Sequence, residues 1–325
     1  MFDVLSVCYL FLGGCGSGVL LVCACIDLLF LRQTFGTSIQ RSTVAQKQGE
    51  PFMNAGFIVG ESLLLLGIVC LALDLGRQDR ILNLLSTPSL SIPTIGAYAL
   101  VFLALLGFLL VLPRLFYLPS IGTVFVRGVE IISLCLSLVC MLYTGLLLFS
   151  MKAVHFWDNP LIPILFVLSS LSSGSAVVLI VGFFSERNEW CSAMLRRIVL
   201  ADSVVILLET VCVAAFFWIA SRAESTAAQE SLKNLLSGSE ALVWWLGFIL
   251  CGMLFPLVAE LLFLKSDTRS AQTALALAMV LVLVGAFCLR SGLVEVGYIG
   301  DVVEGYVNSE EQNTELRLEG MTMYD

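Results

Sequence analysis

Eight stretches of about 20 apolar residues, rich in Leu, Val and Phe, recur along this 325-residue chain, and no other feature limits its fold so severely. A helix of that length crosses about 30 Å of hydrocarbon while bonding every backbone amide internally. A membrane β-barrel would instead show alternating segments of about ten residues. The runs predict spans at 4–31, 52–73, 93–112, 127–149, 160–184, 198–220, 241–264 and 272–290. Composition agrees, with 59% hydrophobic and 13% charged residues and a mean hydropathy of +0.98, against about 25% charged in a soluble domain. The expected fold is an all-α integral membrane protein with eight transmembrane helices as two four-helix bundles, at 1–150 and 151–290, followed by an acidic tail at 291–325.

Charge gives the expected orientation. No basic residue precedes the first run and no small-residue cleavage site follows it, which argues against a removed signal peptide. Asp3 lies on one side of that run and Arg32, Arg41 and Lys47 on the other, so the N-terminus is expected outside and the first loop in the cytoplasm. An even number of spans then places both termini on the outer, periplasmic side of a bacterial inner membrane. Ten of the 17 basic residues fall on the inner side of this map.

Much of the net charge of −8 sits in residues 291–325, where eight acids face Arg317 alone. Such a tail is either solvated and flexible or a strap that docks a partner. Most prolines mark predicted span ends, whereas Pro256 lies inside the seventh span and is expected to kink it.

Several chemistries are set aside by the residues themselves. His155, the single histidine, falls in a predicted outer loop, so bis-histidine haem cannot be built within this chain. The 11 cysteines are mostly inside predicted helices and lack iron–sulfur or zinc spacing. Nor is there a GxxxxGK[ST] phosphate loop, which removes ATP-driven work by this chain alone.

Ionisable residues inside spans are costly, which makes them functional candidates by default. Glu61, Glu209 and Glu260 are the clearest; Asp27, Glu130, Asp202 and Arg290 lie nearer predicted ends, where anchoring is an ordinary alternative. Each carboxylate can pass a proton or clasp neighbouring helices by hydrogen bonding. The first span carries Gly13, Gly14, Gly16 and Gly18, a run that admits a second backbone or a flat ligand. Tyr143 near the outer end of the fourth span is either an interface anchor or a hydrogen-bond partner for a quinone carbonyl.

In order along the sequence, Tyr9 to Gly18, Asp74-Leu-Gly-Arg77 with Arg80, Tyr143-Thr-Gly145, Phe156-Trp157-Asp158-Asn159-Pro160, Leu-Glu209-Thr, Trp245-Leu-Gly through Pro256, and Gly285 to Arg290 resemble the NrfD/PsrC family. These are membrane subunits of polysulfide-reductase-like and related respiratory complexes. The resemblance implies a protein without its own haem or iron–sulfur cluster that exchanges electrons between menaquinol or ubiquinol and an iron–sulfur partner subunit. Through that partner it would serve a molybdopterin or multihaem catalytic subunit. The quinol site it implies maps onto Ser6, Tyr9, Gly13, Gly14 and Tyr143, where a well-known member carries Asn and His in place of Ser6 and Tyr9. Partner docking falls to Asp74, Arg77, Arg80, His155 and Trp157, and Glu61, Glu130, Glu209, Glu260 and Arg290 are candidates for a proton path.

Two other readings fit parts of the pattern. A secondary transporter would use the intramembrane carboxylates for coupling ions, but it should show broken spans at matching places in both halves, and only Pro256 interrupts one. A purely structural anchor would hold a redox partner and bind no quinone.

Overall fold

In the computed structural model each apolar run is a helix, and eight are long and apolar enough to cross a membrane: Val4–Phe30, Gly49–Asp74, Ile92–Phe116, Val124–Phe149, Leu161–Phe184, Glu189–Ala220, Val243–Lys265 and Arg269–Gly297. The structure describes the backbone of residues 4–31, 39–74, 91–116, 123–152, 154–185, 188–222, 226–266 and 268–322, and the side chains within 4–30, 49–74, 91–116, 124–152, 154–185, 188–222, 228–266 and 268–297. Among the described residues there is no strand. The protein is a multi-pass membrane protein.

The helices are α1 (Val4–Ile26, ending in a π-helical turn Asp27–Leu31), α2 (Ile39–Asp74), α3 (Ile92–Phe116), α4 (Thr123–Phe149), α5 (Leu161–Phe184), α6 (Glu189–Ala220), α7 (Thr226–Ser237), a π-helical segment Val243–Leu254 running into α8 (Phe255–Lys265), and α9 (Arg269–Thr322). α1 packs on α2, α4, α5 and α9, and α5 packs on α1, α4, α6 and α9. These two helices form the centre: 72% and 67% of their apolar windows are buried, against 33–44% in the other six spans. The outer helices turn residues such as Phe102 and Phe108 of α3 and Leu207 and Val211 of α6 outward, as a lipid-facing surface requires.

Glycine allows α1 its central place. A Cβ on Gly16 would lie 2.6 Å from the Leu64 backbone nitrogen of α2, and one on Gly18 would strike the Ser170 carbonyl of α5. Small residues let backbones touch where lipid supplies no hydrophobic drive between helices. Of the two occupants the glycine run admits, these two positions take a second backbone.

Span ends depart from expectation in three informative places. α3 continues through Pro113 to Phe116, which brings Arg114 into the helix rather than the inner loop. α6 begins at Glu189, where Asn188 accepts the Cys191 amide at 2.7 Å as an N-cap, so Asp202 is well inside the helix. α9 does not stop at 290 but runs on as helix to Thr322, which makes Arg290 an interior residue. Pro256 breaks the seventh span as expected, through a change of winding: the π-helical segment ends at Leu254, the Phe255 amide bonds back to the Leu250 carbonyl, and Pro256 starts α8 without needing an amide.

The amphipathic α7 was not expected from hydropathy. Ala228, Ser231, Leu232 and Leu235 form its buried stripe, and Ser231 Oγ donates to the Val296 carbonyl of α9 at 3.1 Å.

Candidate functional site

Tyr9 stands five residues into α1 and Tyr143 six residues before the end of α4, so at about 1.5 Å rise per residue both lie about 8–9 Å from the same end of the bundle. Tyr9 is buried, and the Tyr143 phenol and the Cys140 thiol are the polar groups around its hydroxyl. Gly13, one turn along, lies against its ring, where a Cβ would make ordinary contact at 3.6 Å from Tyr9 Cε2. The Tyr143 ring lies flat on α3 at Gly96, where any Cβ would run into it. One turn closer to that end, Ser6 Oγ donates to Asp74 Oδ2 at 2.7 Å, tying the start of α1 to the end of α2.

Gly14 belongs to a different cluster. Its Cβ position is 2.6 Å from Ser170 Oγ and 2.9 Å from Arg290 Nη2, away from the tyrosines. Arg290 is fully buried and donates from Nε to the Leu10 carbonyl at 3.2 Å, from Nη1 to Ser169 Oγ at 3.1 Å and the Ala286 carbonyl at 2.8 Å, and from Nη2 to Ser170 Oγ at 2.8 Å. Its guanidinium also faces the Phe166 ring at 5.3 Å. One side chain thus joins α1, α5 and α9, and Glu209 of α6 stands within its electrostatic reach.

The remaining carboxylates are spread along the bundle. Glu61, on α2, is buried with neither oxygen hydrogen-bonded, and its Oε2 occupies the space above Gly107 of α3. Glu130 lies 3.5 Å from Arg114 Nη2, which also holds Asp27 at 2.8 Å, while the same guanidinium covers the Phe57 ring at 4.0 Å. This ion cluster ties α1, α3 and α4 at the end opposite the tyrosines. Glu260 of α8 accepts the Ser203 hydroxyl at 2.6 Å beside Asp202 of α6.

Of the expected docking residues, Arg77 and Arg80 lie outside the described residues. His155 is exposed and Asp74 lies at the exposed end of α2. Trp157 is not on an exposed rim: it is 2% exposed, its Nε1 donates to the Leu293 carbonyl at 2.9 Å and its ring covers Gly297. Its neighbours serve the fold too, because Phe156 packs edge-on to Phe216 and Asn159 Oδ1 accepts the Leu161 amide at the start of α5. A cavity of about 30 Å³ beside Leu179, Phe183 and Phe263 is at the far end and holds no more than a water.

The family profile "Polysulphide reductase, NrfD" matches residues 1–300. The protein belongs to the NrfD family. A polysulfide reductase polypeptide of Wolinella succinogenes is 25% identical over 296 residues, covering 87% of this protein and 89% of that one. The NrfD homolog of Haemophilus influenzae is 28% identical over 174 residues, 54% of each protein. Protein NrfD of Escherichia coli is 29% identical over 134 residues, 41% of this protein and 42% of that one. The match thus spans about half the length, or less, of these two NrfD relatives.

Within this NrfD protein, sequence reading missed Gly96, Arg114, Ser169 and Ser170 as site-forming residues. Arg114 carries a signal, a cation just past a predicted span next to two span-end acids, but hydropathy alone places it in a loop. Gly96 and the two serines carry none, because their roles depend on what another helix brings against them.

Proposed function

We propose that this protein is the membrane anchor and quinol-reacting subunit of a bacterial respiratory oxidoreductase, set in the cytoplasmic membrane with both termini outside. It passes electrons between menaquinol or ubiquinol and an iron–sulfur partner subunit, and through it to a molybdopterin or multihaem catalytic subunit. Relatives named as components of polysulfide reductase and of the selenate reductase of Mesobacillus selenatarsenatis support the class of complex. A plan of two four-helix bundles is supported by the packing of α1 with α2 and α4 and of α9 with α5 and α8.

One observation carries the quinol reading. Tyr9 and Tyr143 set two buried phenols side by side, close to one end of the bundle, between helices that otherwise bury apolar side chains. A phenol both donates and accepts, so a quinol oxygen set between the two would find a hydrogen-bond partner in each. Bound there, the quinol supplies two electrons and two protons. Tyr9 and Tyr143 hold its oxygens by hydrogen bonds and stabilise charge as it develops. Ser6 links this region to Asp74 at the exposed rim, and Asp74, Arg77, Arg80 and His155 are the residues assigned to docking of the partner subunit. Trp157 fastens α9 beneath that rim.

A proton path through Glu61, Glu130, Glu209, Glu260 and Arg290 belongs to the same proposal, supported by their burial. It predicts that Glu61→Gln and Glu209→Gln lower the membrane potential formed during quinol turnover; unchanged turnover and potential remove the path.

The test of the main reading is purification with accompanying subunits followed by quinone extraction. Co-purified iron–sulfur protein and extractable quinone, with turnover reduced in Tyr143→Phe, is the expected result. A protein that carries redox subunits but no quinone is a structural anchor, and one that carries neither refutes the proposal.

A further inference from the structure

Arg196 of α6 and Lys265, the last residue of α8, meet at the end of the bundle opposite the tyrosines. Arg196 Nη2 donates at 2.9 Å to the carbonyl of Leu264, the residue before Lys265. That bond caps one of the carbonyls that the end of a helix leaves free, and it places the guanidinium at the terminus that carries the ammonium. Both side chains are exposed, and among the described residues neither forms an ion pair. Other cations of the bundle are answered nearby: Arg114 by Asp27 and Glu130, Arg197 by the Phe30 ring at 4.6 Å, and Arg222 by the Trp218 ring at 4.0 Å. Glu189 begins α6 and pairs with neither cation, while Arg269, at the start of α9, adds a third exposed cation.

Each of the two cations heads an exposed apolar stripe. On α6, Leu200, Val204 and Leu207 follow Arg196 at steps of four, four and three residues, and on α8, Leu261 and Val258 precede Lys265 at steps of four and three. Such steps keep side chains on one face of a helix. The bond from Ser203 of α6 to Glu260 of α8, with that from Arg196 to Leu264, makes the two helices antiparallel neighbours. At about 100° per residue both stripes turn to the same side of the Ser203–Glu260 contact, so they form two walls of one lipid-facing groove. From Arg196 to Leu207 is about 16 Å along α6, the depth of one leaflet of a hydrocarbon core about 30 Å thick. A zwitterionic lipid in this groove brings no net charge to the two cations. A net negative phosphate complements both, and a guanidinium already held at one nitrogen offers it the remaining donors with less ordering to lose.

We propose that Arg196 and Lys265 hold the phosphate of a bound anionic phospholipid, with Arg269 adding to the field and the acyl chains lying in the groove between α6 and α8. The site rests on the membrane assignment alone. Its test is made without turnover, so failure of this idea or of the quinol reading leaves the other standing.

The full-length protein with its co-purifying subunits, freed of loosely held lipid in a neutral detergent, is incubated with equal amounts of dioleoylphosphatidylglycerol and dioleoylphosphatidylcholine, and retained lipid is counted by native mass spectrometry. The wild type should keep phosphatidylglycerol in preference to phosphatidylcholine. A cation near the surface is worth about 1 kcal/mol toward anionic lipid, or about fivefold in affinity, so Arg196→Gln and Lys265→Gln should each weaken phosphatidylglycerol retention about fivefold and together about 25-fold. Arg222→Gln, at the other end of α6, should leave it unchanged. The Lys265 side chain makes no hydrogen bond or ion pair among the described residues, so Lys265→Gln remains a fair test should Arg196→Gln fail to fold. Equal retention of the two lipids, or phosphatidylglycerol retention unaffected in the double variant, overturns the proposal. Displacement of the lipid by millimolar inorganic phosphate would give the groove no part in binding and overturns it too, as does a complex of doubled mass, with two copies of this protein joined across the groove, that the double variant splits.

Discussion

Arg290 offers the sharpest test of how this bundle is held together. Replacing it with Met keeps much of the volume and removes every donor. Three of its hydrogen bonds cross between helices, to the Leu10 carbonyl, Ser169 Oγ and Ser170 Oγ. At about 0.6 kcal/mol for an average interhelical bond in a membrane protein, the three are worth about 2 kcal/mol. Leaving the Leu10 carbonyl and the two serine hydroxyls without this donor adds up to the roughly 1–3 kcal/mol of an unsatisfied buried polar group, so the expected loss is about 2–5 kcal/mol. Arg290→Lys separates charge from geometry. An ammonium keeps the positive charge near Glu209 but lacks the planar fork that serves α1 and α5 together, so Lys should recover less than half of the loss. Reversible unfolding in mixed micelles with increasing denaturing detergent measures both variants. Met within about 0.5 kcal/mol of wild type, the range of an ordinary surface change, or Lys equal to wild type, would refute the view that Arg290 acts as a multidentate clasp.

Other perturbations probe separate parts of the structure. Tyr143→Phe should lower quinol turnover at least about tenfold by removing one hydrogen bond to developing charge while leaving thermal stability nearly unchanged. Gly96→Leu should displace the Tyr143 ring, cutting turnover and costing about 1–3 kcal/mol through overpacking; equal turnover in that variant would show that the ring position is immaterial. Arg114→Met removes the guanidinium that Asp27 and Glu130 share and should cost up to about 3–5 kcal/mol, part of which Asp27→Asn in the same protein restores; a double-mutant cycle in the unfolding assay reads the coupling. Trp157→Phe loses the bond to the Leu293 carbonyl, about 1 kcal/mol, and hydrogen exchange should report faster opening of α9 around residue 293.

The eight spans were legible in the sequence because hydrocarbon imposes one rule on every residue that crosses it: bond the backbone internally and present apolar surface. That rule acts locally, so Leu, Val and Phe runs reveal it without reference to the rest of the molecule. Span ends were less legible, since an N-cap such as Asn188 or a proline tolerated inside α3 changes a boundary at little cost in hydropathy. The acids Glu61, Glu209 and Glu260 stood out as candidates because charge inside an apolar run is conspicuous wherever it occurs. Their partners did not stand out. Only tertiary packing decided that Gly14 faces Arg290 while Gly13 faces Tyr9, that Trp157 faces inward and His155 outward, and that Asp202 meets Glu260 across two helices. The physical reason is that membrane entry depends on the summed transfer of each helix, which sequence records, whereas each polar contact depends on the rotation and depth of two helices relative to each other, set by glycine contacts such as Gly18 with Gly174.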